Sequence, residues 1–226
     1  MIRFFLIQVV KLGFALFTRK RVIGAENIPY DKPVVLTANH VGNLDGLMIL
    51  SIKEFIKHPN LIVVVAKKYQ GYPIYRFGVK HMDFIFLDRF NPDIRAMKEV
   101  LGRIKNNGLF IIAPEGTRSP EGELIEGKSG AAYIAAKSNA WILPVSTVGT
   151  EDSNFKEKFP WKKIDITVTI GKPYQLGLYP KKNKEEFLKK STDEIMCQIA
   201  AILPEANRGH YREYPRVNEI MASASD

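Results

Sequence analysis

The sequence predicts an α/β fold in which a mostly parallel sheet is covered by helices on both faces, with a membrane-associated helix at the N-terminus. Three observations point there. Short runs such as VVL (34–36), LIVVV (61–65) and LFII (109–112) are continuously apolar, as in strands buried on both faces, whereas half-exposed strands alternate. Segments of helical periodicity separate these runs, the order expected of parallel strands joined by crossover helices. Hydrophobic residues make up 46 % of 226 residues, enough for a large core, and no linker, repeat or low-complexity stretch divides the chain.

The elements follow in order. PVVLTAN (33–39) reads as a buried strand and LDGLMILSIKEFIK (44–57) as a helix. LIVVVA (61–66) and FIFLD (84–88) are two more buried strands, and 91–107 is a helix with Asn91 as N-cap and Pro92 near its start. GLFIIAP (108–114) is a strand followed by a polar loop to Gly127, SGAAYIAAKSN (129–139) is helical, and WILPVSTVG (141–149) is extended. IDITVTIG (164–171) alternates with period two, as a half-exposed strand does. A last helix runs from about Lys184 to Leu203: Asn183 and Glu186 have capping-box spacing, and Leu188, Ile195, Ile199 and Ile202 form one stripe. The organisation expected is an interfacial helix over 1–20 and a single α/β domain over 21–226.

The formal net charge of +9 calls for an anionic partner: nucleic acid, a phospholipid surface or a phosphorylated substrate. MIRFFLIQVVKLGFALFTRKR (1–21) has no acidic residue and ends in Arg19, Lys20 and Arg21. As a helix its apolar part spans only ~24 Å, short of the ~30 Å hydrocarbon core, and Arg3 and Lys11 interrupt it. No small-x-small cleavage site follows, so it does not read as a secretory signal. A buried core helix is one reading. The favoured one is an anchor lying in the membrane interface with the three basic residues at anionic head groups, on the cytoplasmic face. The single cysteine, Cys197, allows no internal disulfide, fits a reducing compartment, and sits in an apolar helical run as a packing residue.

Functional residues of such folds gather in loops after the carboxyl ends of strands. In NHVGNLD (39–45), His40 follows a strand and Asp45 falls in the first turn of a helix, where the dipole favours its charge. Folded through the Gly42-Asn43 turn, the carboxylate can fix the imidazole tautomer, making His40 a general base and Asp45 its orienting acid. The alternative is a helix cap beside a loop histidine. In PEGTRS (114–119), Glu115 and Arg118 leave a strand through a tight turn at Gly116, and Arg118 offers a planar donor for phosphate. FLDR (86–89) places Asp88 and Arg89 after another strand. The stretch 122–129, GELIEGKS, satisfies the phosphate-loop expression G-x-x-x-x-G-K-[ST], yet follows no strand directly and carries Glu123 and Glu126. Nucleotide binding through it stays a minor alternative. The four histidines and one cysteine show no metal-ligand spacing, and no G-x-S-x-G elbow supplies a serine nucleophile.

NHVGNLD, FLDR, PEGTRS and LPV, in that order, resemble the four sequence blocks of the 1-acylglycerol-3-phosphate acyltransferase family. The resemblance covers residues 39–145 well and the flanks by layout. It implies a glycerol-3-phosphate acyltransferase-like fold. It also implies transfer of a fatty acyl group from acyl-CoA or acyl carrier protein to a lysophospholipid hydroxyl, with the thioester as co-substrate and no cofactor. The acceptor it implies is 1-acylglycerol-3-phosphate, giving phosphatidic acid, with another lysolipid as the alternative. His40 and Asp45 resemble the catalytic pair, and Arg89, Glu115, Gly116, Thr117 and Arg118 resemble positions that hold the glycerol phosphate. Lys128, with Gly130, looks like the basic-Gly element that often follows PEGTRS. Ala113 departs from the family's usual aromatic residue, and the N-terminus has room for one membrane helix where some members have two. Metal and nucleic acid are not expected; the partners are a phospholipid surface, the lysolipid acceptor and the acyl donor.

Overall fold

The computed structural model describes residues 2–72, 84–87, 94–119, 121–159 and 161–224. Arg89, with Asp88, Asn91 and Pro92, lies outside the described residues.

The chain begins with helix α1 (Ile2–Phe17) and strand β1 (Thr18–Ile23), then β2 (Val34–Ala38), α2 (Asp45–Leu50), α3 (Lys53–Ile56), β3 (Leu61–Ala66) and β4 (Phe84–Leu87). Helix α4 (Ile94–Lys105), β5 (Leu109–Ile112), α5 (Gly130–Ser138), β6 (Trp141–Val148), α6 (Asp152–Lys158) and β7 (Ile164–Ile170) follow, then α7 (Lys184–Ala201) and α8 (Pro215–Ser223). The strands form one sheet in the order β1-β7-β6-β2-β5-β3-β4. Every pairing among the described strands is parallel except β6 with β7.

Alternate residues of each strand feed two cores, because successive side chains leave a strand on opposite faces. On one face Val35, Ile62, Phe110 and Ile142 pack against Val100 and Ile104 of α4, the alanines of α5, Ile195, Met196 and Ile199 of α7 and Val217 of α8. On the other, Val34, Leu36, Leu109, Leu143 and Val145 pack against Met48 and Ile49 of α2, Phe55 of α3 and Ile52 between them, with Phe14 of α1 against their edge. Central β2 is buried along its whole length, which is why its sequence shows no alternation. Outer β7 buries Ile164, Ile166, Val168 and Ile170 and turns Asp165, Thr167 and Thr169 outward. Each fully buried Leu or Ile stabilises by roughly 1.5–3 kcal/mol relative to exposure.

The helix expected over 44–57 is broken at Ser51 and Ile52. Ser51 Oγ donates to the Met48 carbonyl and Ile52 is extended (φ −78°, ψ 125°), so two short helices hug the sheet. At the start of α7, Asn183 is left-handed (φ 53°) with no side-chain cap, so the capping-box geometry does not form. The N-terminal helix ends at Phe17, and the basic cluster lies in β1, paired in parallel with β7. Arg19 forms a two-point ion pair with Asp165, and Lys20 Nζ reaches the Ser51 hydroxyl and carbonyl. A domain boundary at residue 20 therefore cuts through a strand, and two of the three cations are occupied by protein. His58 is buried, and burial pushes its ring below the usual histidine range.

Three neighbouring parallel strands, β5, β2 and β6, end on the same edge of the sheet. The connection leaving β2 runs over one face through α2 and α3, and the connection leaving β5 runs over the other through α5. Departures to opposite faces open a crevice at the carboxyl ends between them.

Candidate active site

The crevice is built from three strand ends. Asn39, one residue past β2, is buried and extends the ladder with its side chain: its Nδ2 donates to the Thr147 carbonyl (2.9 Å) and its Oδ1 accepts from Thr147 N–H (2.8 Å). The next residue is His40. Its Nδ1 lies 2.9 Å from Asp45 Oδ2, which also accepts from the backbone N–H groups of Val41 (2.7 Å) and Gly42 (3.0 Å). Facing a carboxylate oxygen that accepts, the proton of this contact sits on Nδ1. Nε2 is left with its lone pair on a side chain 23 % exposed, the arrangement a general base needs. Gly42 makes the turn possible: a Cβ there would lie 1.8 Å from the Thr150 carbonyl oxygen.

The PEGTRS loop after β5 grips His40 by its backbone. Glu115 Oε1 accepts His40 N–H (2.8 Å) and Ser119 N–H donates to the His40 carbonyl (2.8 Å). The other Glu115 oxygen accepts Ile125 N–H (3.1 Å). Glu115 is fully buried, and desolvation raises its carboxyl above the usual range against the pull of those two amides. So enclosed, Glu115 holds the two loops together. Gly116 has φ +68°, and a Cβ there would sit 2.9 Å from Lys128 Cδ. Lys128, Thr117 and Arg118 are exposed beside it. Arg118 Nη1 donates to Asp152 Oδ2 (2.9 Å), and Asp152 also accepts from Asn43 N–H (2.9 Å) and Asn43 Nδ2 (2.7 Å).

Asp152, the first residue of α6, therefore ties the His40 loop to Arg118, and sequence reasoning missed it. Asn39 and Ser119 were also missed as positioning residues, although both stood inside quoted motifs. Arg89 lies outside the described residues.

The apparent phosphate loop is not a cradle. The amides of Gly122, Leu124, Ile125, Gly127 and Lys128 donate to Ser119 O, Asn207 O, Glu115 Oε2, Tyr211 Oη and Pro114 O. A loop that binds phosphate presents free amides, and these are spent on protein. The C-terminal segment that supplies two of the acceptors is folded: Tyr211 and Val217 are fully buried. Burial pushes the Cys197 thiol up to about 12, in line with a packing role.

The Acyltransferase family model matches residues 19–148. A putative 1-acyl-sn-glycerol-3-phosphate acyltransferase of Caenorhabditis elegans is 36 % identical over 129 residues, 55 % of this chain and 44 % of that protein. The chloroplastic 1-acyl-sn-glycerol-3-phosphate acyltransferase LPAT1 of Arabidopsis thaliana is 30 % identical over 140 residues, 59 % of this chain and 37 % of that one. The matches thus span less than half the length of these two relatives. The crystal structure of the 1-acyl-sn-glycerophosphate acyltransferase PlsC from Thermotoga maritima superposes with a TM-score of 0.61 at 28 % identity, covering 85 % of this chain and 80 % of that one.

Proposed function

Because the chain belongs to the Acyltransferase family, we propose that it transfers a fatty acyl group from a thioester to the free hydroxyl of 1-acylglycerol-3-phosphate, forming phosphatidic acid in phospholipid biosynthesis. The observation that carries this reading is the His40 Nδ1–Asp45 contact of 2.9 Å with Nε2 unpartnered among the described residues, at the crevice where the β2 and β5 loops interlock. His40 Nε2 takes the proton of the acceptor hydroxyl as its oxygen attacks the thioester carbonyl carbon. Asp45 stabilises the imidazolium through Nδ1–H. The tetrahedral intermediate then collapses, the C–S bond breaks, and the imidazolium returns its proton to the departing sulfur, leaving an ester and a free thiol. A thioester is already activated, so no covalent enzyme intermediate is needed.

Arg118 and Lys128, exposed at the rim of the PEGTRS loop, suit the acceptor phosphate: Arg118 offers a planar fork of donors and Lys128 a point charge. Arg89 follows β4 in sequence and is assigned to the same phosphate. Gly116 and Thr117 shape the turn that presents these cations. The donor is acyl-CoA or acyl carrier protein. The acceptor resides in a phospholipid surface, and α1, which exposes Val9, Leu12 and Leu16, suits a peripheral or monotopic anchor on the cytoplasmic face of a membrane. Among the described residues no helix is long and apolar enough to cross a membrane.

The test is thiol release from oleoyl-CoA or an acyl carrier protein thioester, with and without lysophosphatidic acid, for wild type and His40→Ala. Acceptor-dependent release that vanishes in a folded variant is the expected result. Normal turnover in that variant would falsify the role of His40.

A further inference from the structure

Outside the crevice, the most unusual surface lies where α1 meets the turn between α6 and β7. Trp161 is 88 % exposed and Phe159 49 %, although tryptophan is on average among the most buried residues. The other tryptophan, Trp141, is partly covered, with Lys32 Nζ 4.4 Å from its ring centroid. The turn is fastened to α1: the Phe159 and Phe17 rings lie 4.7 Å apart, and Lys163 Nζ reaches the Ala15 carbonyl in the last turn of that helix. Helix α1 turns its Phe14 toward the core and leaves Val9, Leu12 and Leu16 outward at 52 %, 61 % and 56 % exposure. Positions 9, 12 and 16 make one stripe on a helix. Residues 156–163, KEKFPWKK, carry four lysines against one glutamate.

We propose that Phe159, Trp161 and Lys162 form a second lipid-contacting element that enters an anionic bilayer surface beside the outward stripe of α1. This rests on the reading of the chain as an enzyme of membrane lipids. Amphipathic aromatic rings favour the level of the head groups, and clustered lysines are attracted to anionic lipid within a Debye length. One helix fixes depth but leaves rotation about its own axis free. A second contact, joined to α1 through Phe17, removes that freedom. Helix α1 also packs against α2, which begins at Asp45, so docking by this face brings the crevice to the lipid surface. A soluble partner would not require the combination of a bare apolar stripe, an exposed indole and a lysine-rich rim.

The experiment uses the full chain with Trp141→Phe, leaving Trp161 as the reporter, and vesicles of phosphatidylcholine with or without phosphatidylglycerol. Anionic vesicles are expected to blue-shift Trp161 emission, and brominated acyl chains to quench it. Trp161→Ala in the wild-type background, with unchanged circular dichroism, is expected to bind these vesicles roughly 10-fold more weakly, and Leu12→Ser/Leu16→Ser more weakly still. Vesicle binding with Trp161 emission and quenching unchanged overturns the second contact and leaves α1 as sole anchor. No binding to either vesicle overturns the membrane face altogether. Thiol release with lysophosphatidic acid in detergent then decides separately whether the acyltransferase reading survives.

Discussion

His40 and Arg118 belong to loops that interlock at the crevice, and they are held in opposite ways. Around His40 most polar groups are buried and hydrogen-bonded, Asp45 Oδ1 being left without a partner among the described residues. Asp45 takes three hydrogen bonds on one oxygen, and both backbone groups of His40 are bonded to the PEGTRS loop. Among the described residues Arg118 has one ion pair, with Asp152, in which the side chains are 45 % and 36 % exposed. The contrast separates two tasks. Proton transfer needs a base fixed in tautomer and direction before substrate arrives, whereas phosphate capture needs a cation whose partner can be exchanged. Exposed ion pairs contribute only ~0.2–1 kcal/mol, so a phosphate making charge-assisted hydrogen bonds can displace Asp152.

Perturbing the rigid side should do most harm. His40→Ala and Asp45→Asn are each expected to lower kcat by about 10²–10⁴-fold with folding intact, since one removes the base and the other its orienting charge. Turnover and circular dichroism on the same preparations check this, and an Asp45→Asn effect below tenfold would place the orienting force elsewhere.

Glu115→Gln comes next, because an amide cannot accept both the His40 and Ile125 N–H groups. A destabilisation of ~1–3 kcal/mol is expected, measured by urea unfolding, with kcat falling as His40 loosens. The same variant carries a pH signature. Burial raises the folded carboxyl above its ordinary value of 4.5, so the native state holds that proton longer than the unfolded chain. Wild-type stability from this group is therefore full below 4.5 and lost as pH rises through the folded pKa. The difference between wild-type and Glu115→Gln midpoints should change across that window and level off above it. A flat difference contradicts a buried, raised carboxyl.

On the exchangeable side the effects are smaller. Arg118→Gln should raise the acceptor KM by about 10-fold, equivalent to one charge-assisted contact, with the donor KM unchanged. Equal shifts in both would remove Arg118 from the acceptor side. Smallest of all, Asp152→Asn frees Arg118 at the cost of an exposed ion pair, and the acceptor KM should fall by roughly 2–5-fold. A rise instead would show that Asp152 aims the guanidinium and that Arg118 is as firmly positioned as His40.

Reading the sequence succeeded where the signal is local. The apolar runs of β2, β3 and β5 needed no partner to be recognised, and the offset of five residues between His40 and Asp45 brought the pair together because a turn separates a strand end from a helix start. It failed where the partner is distant. TRKR (18–21) looked like a cationic flank until β7, some 146 residues later, supplied Asp165 and a parallel ladder.

What the sequence by itself determined is the alternation of strands and helices, the chemistry available after β2 and β5, and the family likeness. These follow from side-chain period, turn residues and the reactivity of imidazole and carboxylate, all set within a few residues. The tertiary structure decided which polar groups become partners. It seated Glu115 between His40 and Ile125, spent two amides of the apparent phosphate loop, those of Leu124 and Gly127, on the C-terminal segment, and set Asp152 against Arg118, 34 residues away. Burial makes every N–H and carboxylate seek a partner, and only the sheet order and its crossovers place distant ones within 3 Å.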